Sequence, residues 1–284
     1  MALPTVLIIV ALVGLPSIQS LIYSFQKVKL TGEATWNGID NYVNLLTSAD
    51  FHHSFLLTSG YAICFLVLST TLGLIFALIL NEAFPGRGIA RALLIIPWAS
   101  PWLIVGVIWH WFTDGNLGSL NAALVQLGIT DAYTPFLAQP TWAFVFSVLA
   151  ASWRMASFVG LILLAALQTV PSELYEAARV DGANIWQRFR YVTFPWLQQA
   201  LVVVIIMGTI FGFMQFDVIY GLTQGGPGNA SSVLSILLYR QLFEFTNIGM
   251  GSAVAVVMAV VALSVGLLFV RLMYRTSSKM GMGS

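Results

Sequence analysis

The chain has 284 residues, 58% of them hydrophobic, and only 12 Lys and Arg against 11 Asp and Glu. Soluble domains carry about 25% charged residues, and this chain carries 8%. So few charges exclude an ordinary cytosolic enzyme, a disordered chain and a nucleic-acid binder, which needs a basic face; a polytopic membrane protein remains, held in a lipid bilayer.

In lipid every backbone polar group must be bonded within the protein, and about 20 helical residues cross the hydrocarbon core. Long apolar runs predict six spans, at residues 4–25, 55–81, 92–112, 141–170, 200–222 and 251–274. The first lacks a basic leader and a clear cleavage site, so it reads as a retained span, with a short preceding tail allowed for. Cys64 in the second reads as a small buried hydrophobe. The third holds Pro97 and Pro101, with Trp98, Trp102, Trp109 and Trp111 crowded along it. Tryptophans of this kind read as interfacial anchors and packing. The fourth is long enough to tilt or to extend past the core. Arg154 lies within it, and Asp217 within the fifth. Charges inside a membrane are costly and face a partner or a cavity. The two satisfy each other or a neighbouring subunit, or else they serve a solute; the residues alone weigh these equally.

Orientation follows from basic residues in the loops. Arg87, Arg91, Arg179, Arg188, Arg190, Arg271, Arg275 and Lys279 fall on one face; Lys27, Lys29 and Arg240 fall on the other. Eight against three places the 171–199 loop and both termini in the cytoplasm. One cysteine and three scattered histidines, His52, His53 and His110, supply no metal site and no disulfide.

The loop at 171–199 reads as two short helices around a turn. Ser172 is placed to N-cap the first, with Glu173 and Glu176 in its early turns. Asp181-Gly182 breaks it, and Asn184 with Gln187 forms a candidate capping box for the second. Pro195 marks the entry to the fifth span. The alanines let another backbone approach closely, which suits docking into a protein groove better than lying on lipid. The string Glu176-Ala177-Ala178, Asp181-Gly182-Ala183, Phe189 and Phe194-Pro195 resembles the EAA loop of binding-protein-dependent ABC importer permeases, in its carbohydrate branch. It departs mildly: the family usually has Leu at position 194 and often Pro near 199, where this chain has Phe194 and Gln199. The Gly225-Gly226-Pro227 turn, Trp153-Arg154, Leu167-Gln168, Pro4 with Pro16, and Ser24-Phe25 also look like that family, so the likeness runs over nearly the whole chain.

The resemblance implies an all-α, type I importer-like bundle of about six spans in a bacterial or archaeal cell membrane, acting as a non-catalytic subunit. Its partners would be a second permease subunit, two ATPase subunits that carry ATP and Mg, and an extracytoplasmic solute-binding protein. The chain has no phosphate loop, and Gly86-Arg87-Gly88 is not one; no cofactor is expected on it. By the same resemblance, Glu176, Ala177, Ala178, Asp181, Gly182, Ala183, Phe189 and Pro195 would couple to the ATPase, and Gly225, Gly226 and Pro227 would contact the binding protein. For a sugar path, aromatic faces and a few polar groups are needed. By helical spacing, Phe213, Phe216 or Asp217, and Tyr220 fall near one face with Gln215 to the side, and Arg154 is a further candidate. Two other classes fit less well. A self-contained carrier or channel would show matched broken halves, and an intramembrane enzyme would show a cluster of reactive groups.

Overall fold

The computed structural model describes residues 9–28 and 33–279. The chain runs in order through α1 (Val10–Tyr23), a two-stranded ribbon of β1 (Gln26–Val28) and β2 (Ala34–Trp36), α2 (Asp40–Thr47) and α3 (Ala49–Asn81). Next come α4 (Arg87–Ala99), α5 (Trp102–Phe112), α6 (Ser119–Gln126), α7 (Pro140–Leu167) and α8 (Ser172–Val180). The last are α9 (Ile185–Arg188), α10 (Phe194–Phe213), α11 (Asp217–Thr223), α12 (Leu234–Tyr239) and α13 (Ile248–Lys279).

The centre of the bundle is the pair α3 and α7. The α3 helix starts at Ser48, whose Oγ accepts the Phe51 N–H, and Pro140 opens α7 at a position where no N–H is needed. Lipid tails are as apolar as leucine, so helices here associate by close packing and not by a hydrophobic gradient. The sequence supplies small residues for it. A Cβ added at Gly73 would strike the Val159 side chain, and one at Gly160 would press on Phe76. Ala77, Ala150, Ala151 and Ala156 are fully buried. Tyr61 donates from its hydroxyl to the Ser147 carbonyl at 3.2 Å near the other end of the contact. The pairs Tyr61–Ser147 and Gly73–Val159 advance together, so α3 and α7 are parallel. Around them Phe65, Val105, Met155, Leu163, Leu197, Val204 and Ile219 close the main core.

Two predicted spans differ from a straight crossing. The third is not one helix: α4 and α5 meet at a 99° bend. Pro97 lies inside α4 and Pro101 precedes α5, so donors are missing where the turn is made. The fifth starts earlier than residue 200. It runs from Ile185 through a π-helical turn at Phe189–Thr193 into α10, and it stops at Phe213. Residues 214–216 are non-helical, and α11 follows as a separate short helix. The second, fourth and sixth spans are single helices long and apolar enough to cross. Of the first, α1 covers the described part; its predicted start at residues 4–8 lies outside the described residues. Cys64 is not buried but faces outward from α3. An apolar run in a span marks lipid-facing positions as readily as packed ones, so the run around it could not separate the two.

Polar residues fix the segments on the side opposite the 171–199 loop. Buried Asn41 donates through Nδ2 to the carbonyls of Ser24 and Gln26, both at 2.9 Å, and ties α2 to the ribbon. Buried Asn121 does the same for the 113–140 segment, bonding the Asp114 and Thr134 carbonyls and the Thr134 N–H. The Asp114 carboxylate accepts the N–H groups of Leu117 and Asn116, which holds its pKa below the usual carboxylate value. The α12 helix packs back into the protein: the Leu234 N–H reaches Thr58 Oγ1 at 2.8 Å, and Ser235 Oγ donates to the Gln215 carbonyl.

Candidate functional site

The 171–199 segment is a compact hairpin that stands out from the bundle. No residue of α8 or α9 is buried. The turn between them has a definite architecture. Asp181 is the C-cap of α8, and Gly182 follows at φ +77°, in the left-handed region. The Ala183 N–H bonds the Ala178 carbonyl at 2.9 Å, and the Gly182 N–H bonds the Arg179 carbonyl at 3.0 Å. These are the two hydrogen bonds of a Schellman motif, with glycine at the position that needs it. Asn184 then makes the expected capping box with Gln187, with bonds of 2.9 and 2.8 Å. The predicted Ser172 cap is not made. Pro171 occupies the N-cap in an extended conformation, and Ser172 is already the first helical residue.

Phe189 stacks on Trp186 at 5.6 Å and touches Phe194 at 6.2 Å, closing the hairpin where it joins α10 near Pro195. The Tyr175 hydroxyl meets Thr193 Oγ1 at 3.0 Å and ties α8 to the π-helical turn. Glu176 and Ala177 are exposed and Ala178 is half-buried. Val180, Ile185 and Trp186 are exposed at 88%, 78% and 66%. The hairpin thus presents exposed apolar side chains beside a hydrogen-bonded turn.

The candidate path residues do not converge. Phe213 is buried in a second core with Phe51, Leu234, Leu237, Val254 and Met258. Gln215 is buried in the break after α10, and Asp217 is exposed in the first turn of α11. The break removes the helical register that placed Phe213, Asp217 and Tyr220 on one face. Tyr220 belongs to an aromatic cluster with Phe216, Tyr239 and Phe243, with centroids 5.0–5.4 Å apart along the chain of contacts. Its hydroxyl meets that of Tyr239 at 3.2 Å. Tyr239 and Phe243 were outside the sequence reading, because no local spacing connects them to Tyr220. Arg154 and Asp217 do not pair. Among the described residues Arg154 contacts the α4–α5 bend: Nε donates to the Ser100 carbonyl at 2.8 Å, and the guanidinium lies 3.8 Å over the Trp102 ring.

The α5 and α11 helices cross at glycines. A Cβ at Gly106 would sit 2.5 Å from the Val218 carbonyl oxygen, and one at Gly221 would sit 2.7 Å from that of Leu103. His110 Nδ1 donates to the Leu222 carbonyl at 2.7 Å in the same contact. Past it the Gly225-Gly226-Pro227 turn is held from several directions. Arg240 reaches Asn229 Oδ1 at 2.6 Å and the Gln224 carbonyl at 3.4 Å, and His53 Nε2 meets the Asn229 carbonyl at 2.9 Å. A recess of about 540 Å³ lies between this turn and α5, lined by Val107, His110, Thr223, Gly226 and Pro227 among others.

Residues 69–280 match the family described as binding-protein-dependent transport system inner membrane component. This chain belongs to that family. The binding-protein-dependent permease is 36% identical over 272 residues to the trehalose/maltose transport system permease protein MalF of Thermococcus litoralis, covering 95% of this chain and 91% of the relative. It is 34% identical over 268 residues to the sulfoquinovosyl glycerol transport system permease protein SmoG of Agrobacterium fabrum, covering 93% and 86%. Its fold matches a chain of a bacterial ABC transporter involved in the import of the acidic polysaccharide alginate. That match has a TM-score of 0.85 and 25% identity, and covers 97% of this chain and 94% of that one. The permease is therefore a membrane-embedded, non-catalytic subunit of an ABC importer, with the type I fold its loop motif implied.

Proposed function

We propose that this permease carries a sugar or sugar-like solute across a bacterial or archaeal cell membrane, driven by two separate ATPase subunits that bind ATP and Mg and dock on the α8–α9 hairpin. A second permease subunit completes the membrane pair, an extracytoplasmic binding protein delivers the solute to the Gly225-Gly226-Pro227 face, and both termini lie in the cytoplasm. The observation that carries the coupling role is the hairpin itself: it is exposed, apolar in part and already rigid. Glu176 offers a carboxylate to a basic group of the ATPase, while Ala177, Ala178 and Ala183 allow close approach. The sugar assignment draws on relatives whose names specify trehalose, maltose and sulfoquinovosyl glycerol. The non-helical segment at Gln215, with Asp217 and Tyr220 beside it, is the proposed solute contact on this subunit. Phe213 packs in the core and Arg154 is engaged at the bend, so neither is assigned to the solute.

Uptake of labelled maltose and trehalose into vesicles bearing the assembled importer tests this reading. ATP-dependent uptake that requires the binding protein is expected. Uptake by the permease alone, without any ATPase, would show a self-contained carrier instead.

A further inference from the structure

We propose that Arg154 is a positioning residue that sets the bend of the third span. The bend leaves a local problem. Ser100 is extended, and Pro101 after it has no N–H, so the regular helical ladder stops there. The α5 ladder resumes with the Val105 N–H on the Pro101 carbonyl, one residue beyond Ser100. The bond the structure gives the Ser100 carbonyl comes from Arg154 Nε. In lipid a carbonyl without a donor is strongly disfavoured, so this bond favours the bent chain over other local arrangements.

The same guanidinium lies over the ring of Trp102, the first residue of α5, with Cζ 3.8 Å from the ring centroid. One planar cation therefore touches both sides of the bend, the carbonyl that ends α4 and the ring that begins α5. Arginine suits this because it stays charged, keeps its donors in a rigid plane and stacks on aromatic faces. Arg154 itself projects from α7, the most buried of the spans. The bend is thus referenced to the most buried helix of the bundle. What the bend carries is α5, whose Gly106 fits directly against Gly221 of α11. A change in bend angle would shift that crossing and the recess next to it.

The experiment uses the assembled importer in nanodiscs, with Cys64→Ser and spin labels at Leu93 and Ile108, which are exposed on α4 and α5. The distance between the labels reports the bend. The parent is expected to give one narrow distribution. Arg154→Met, which keeps the side-chain length, is expected to lose that narrow peak while ATPase retention on the complex is unchanged. Arg154→Lys keeps a donor without the planar face and is expected to give an intermediate width. Should Arg154→Met not assemble, Trp102→Ala with Arg154 in place decides: a broadened distribution supports the proposal. An unchanged narrow peak in Arg154→Met, or in Trp102→Ala when that variant has to decide, overturns it.

Discussion

The Schellman turn shows how one residue carries a local fold. Gly182 sits at φ +77°, where most residues with a Cβ lose about 1–2 kcal/mol, Asp less, and an Asp there would also set a second carboxylate beside Asp181. Gly182→Asp is expected to open the hairpin and abolish uptake while the protein stays in the membrane at parental levels. Full uptake with normal immunoblot signal would sink the coupling role. A bulky change at Ala177 is expected to do the same by sterics alone, because that site is exposed and its backbone is ordinary helix. Asn41 is the residue-scale counterpart on the opposite side. Asn41→Ala leaves the Ser24 and Gln26 carbonyls without their donor, which costs about 1–3 kcal/mol, and a lower melting temperature in detergent would register it.

Helices here are arranged by where side chains are missing. The α5–α11 crossing depends on Gly106 and Gly221, whereas Gly60 on α3 has nothing within 4 Å of an added Cβ. Gly106→Ala is therefore expected to destabilise by about 1–3 kcal/mol through overpacking, with Gly60→Ala as a neutral control. Equal melting temperatures for the two variants would contradict the crossing. At this scale the sequence was readable in part. The two helices of the hairpin and the Asn184–Gln187 box follow from local patterns, and the structure has them; of the six apolar runs, the second, fourth and sixth are single long helices. The breaks at 100–101 and 214–216 do not. Pro97 and Pro101 signal disturbance, but the 99° bend depends on Arg154, which arrives from another span. The break after Phe213 has no proline at all, so apolar periodicity ran straight through it. Register on one face, which chose Phe213, Asp217 and Tyr220, fails wherever such a break is unseen. Tyr239 joins Tyr220 only because α12 packs back into the bundle, and sequence spacing carries no trace of that.

At the scale of the molecule, the distribution of charge gives an orientation that can be tested directly. With Cys64 replaced by Ser, a cysteine at Ser172 is expected to react with an impermeant maleimide only from the cytoplasmic side, and one at Gly228 only from outside. Labelling of both from the same side would contradict the placement of the loops. The two faces also differ in how they are held. The turn at Gly225–Ala230 is tied by Arg240, His53 and the Thr223–Ser231 hydroxyl pair. The α8–α9 hairpin rests on its own turn, on the Phe189–Phe194 contact and on the hydroxyl contact of Tyr175 with Thr193. Tyr175→Phe is expected to lower the uptake rate without lowering the amount of ATPase that co-purifies.

The hairpin's turn bonds have a kinetic meaning as well. Because Asp181, Gly182 and Ala183 are already fixed by the turn's own hydrogen bonds, a partner that grips this hairpin has little chain entropy to remove there on contact. Association then behaves as rigid-body capture, fast and with a small ordering penalty. The same rigidity makes the hairpin a lever: a displacement imposed at its tip passes to α10 with little lost to bending of the turn.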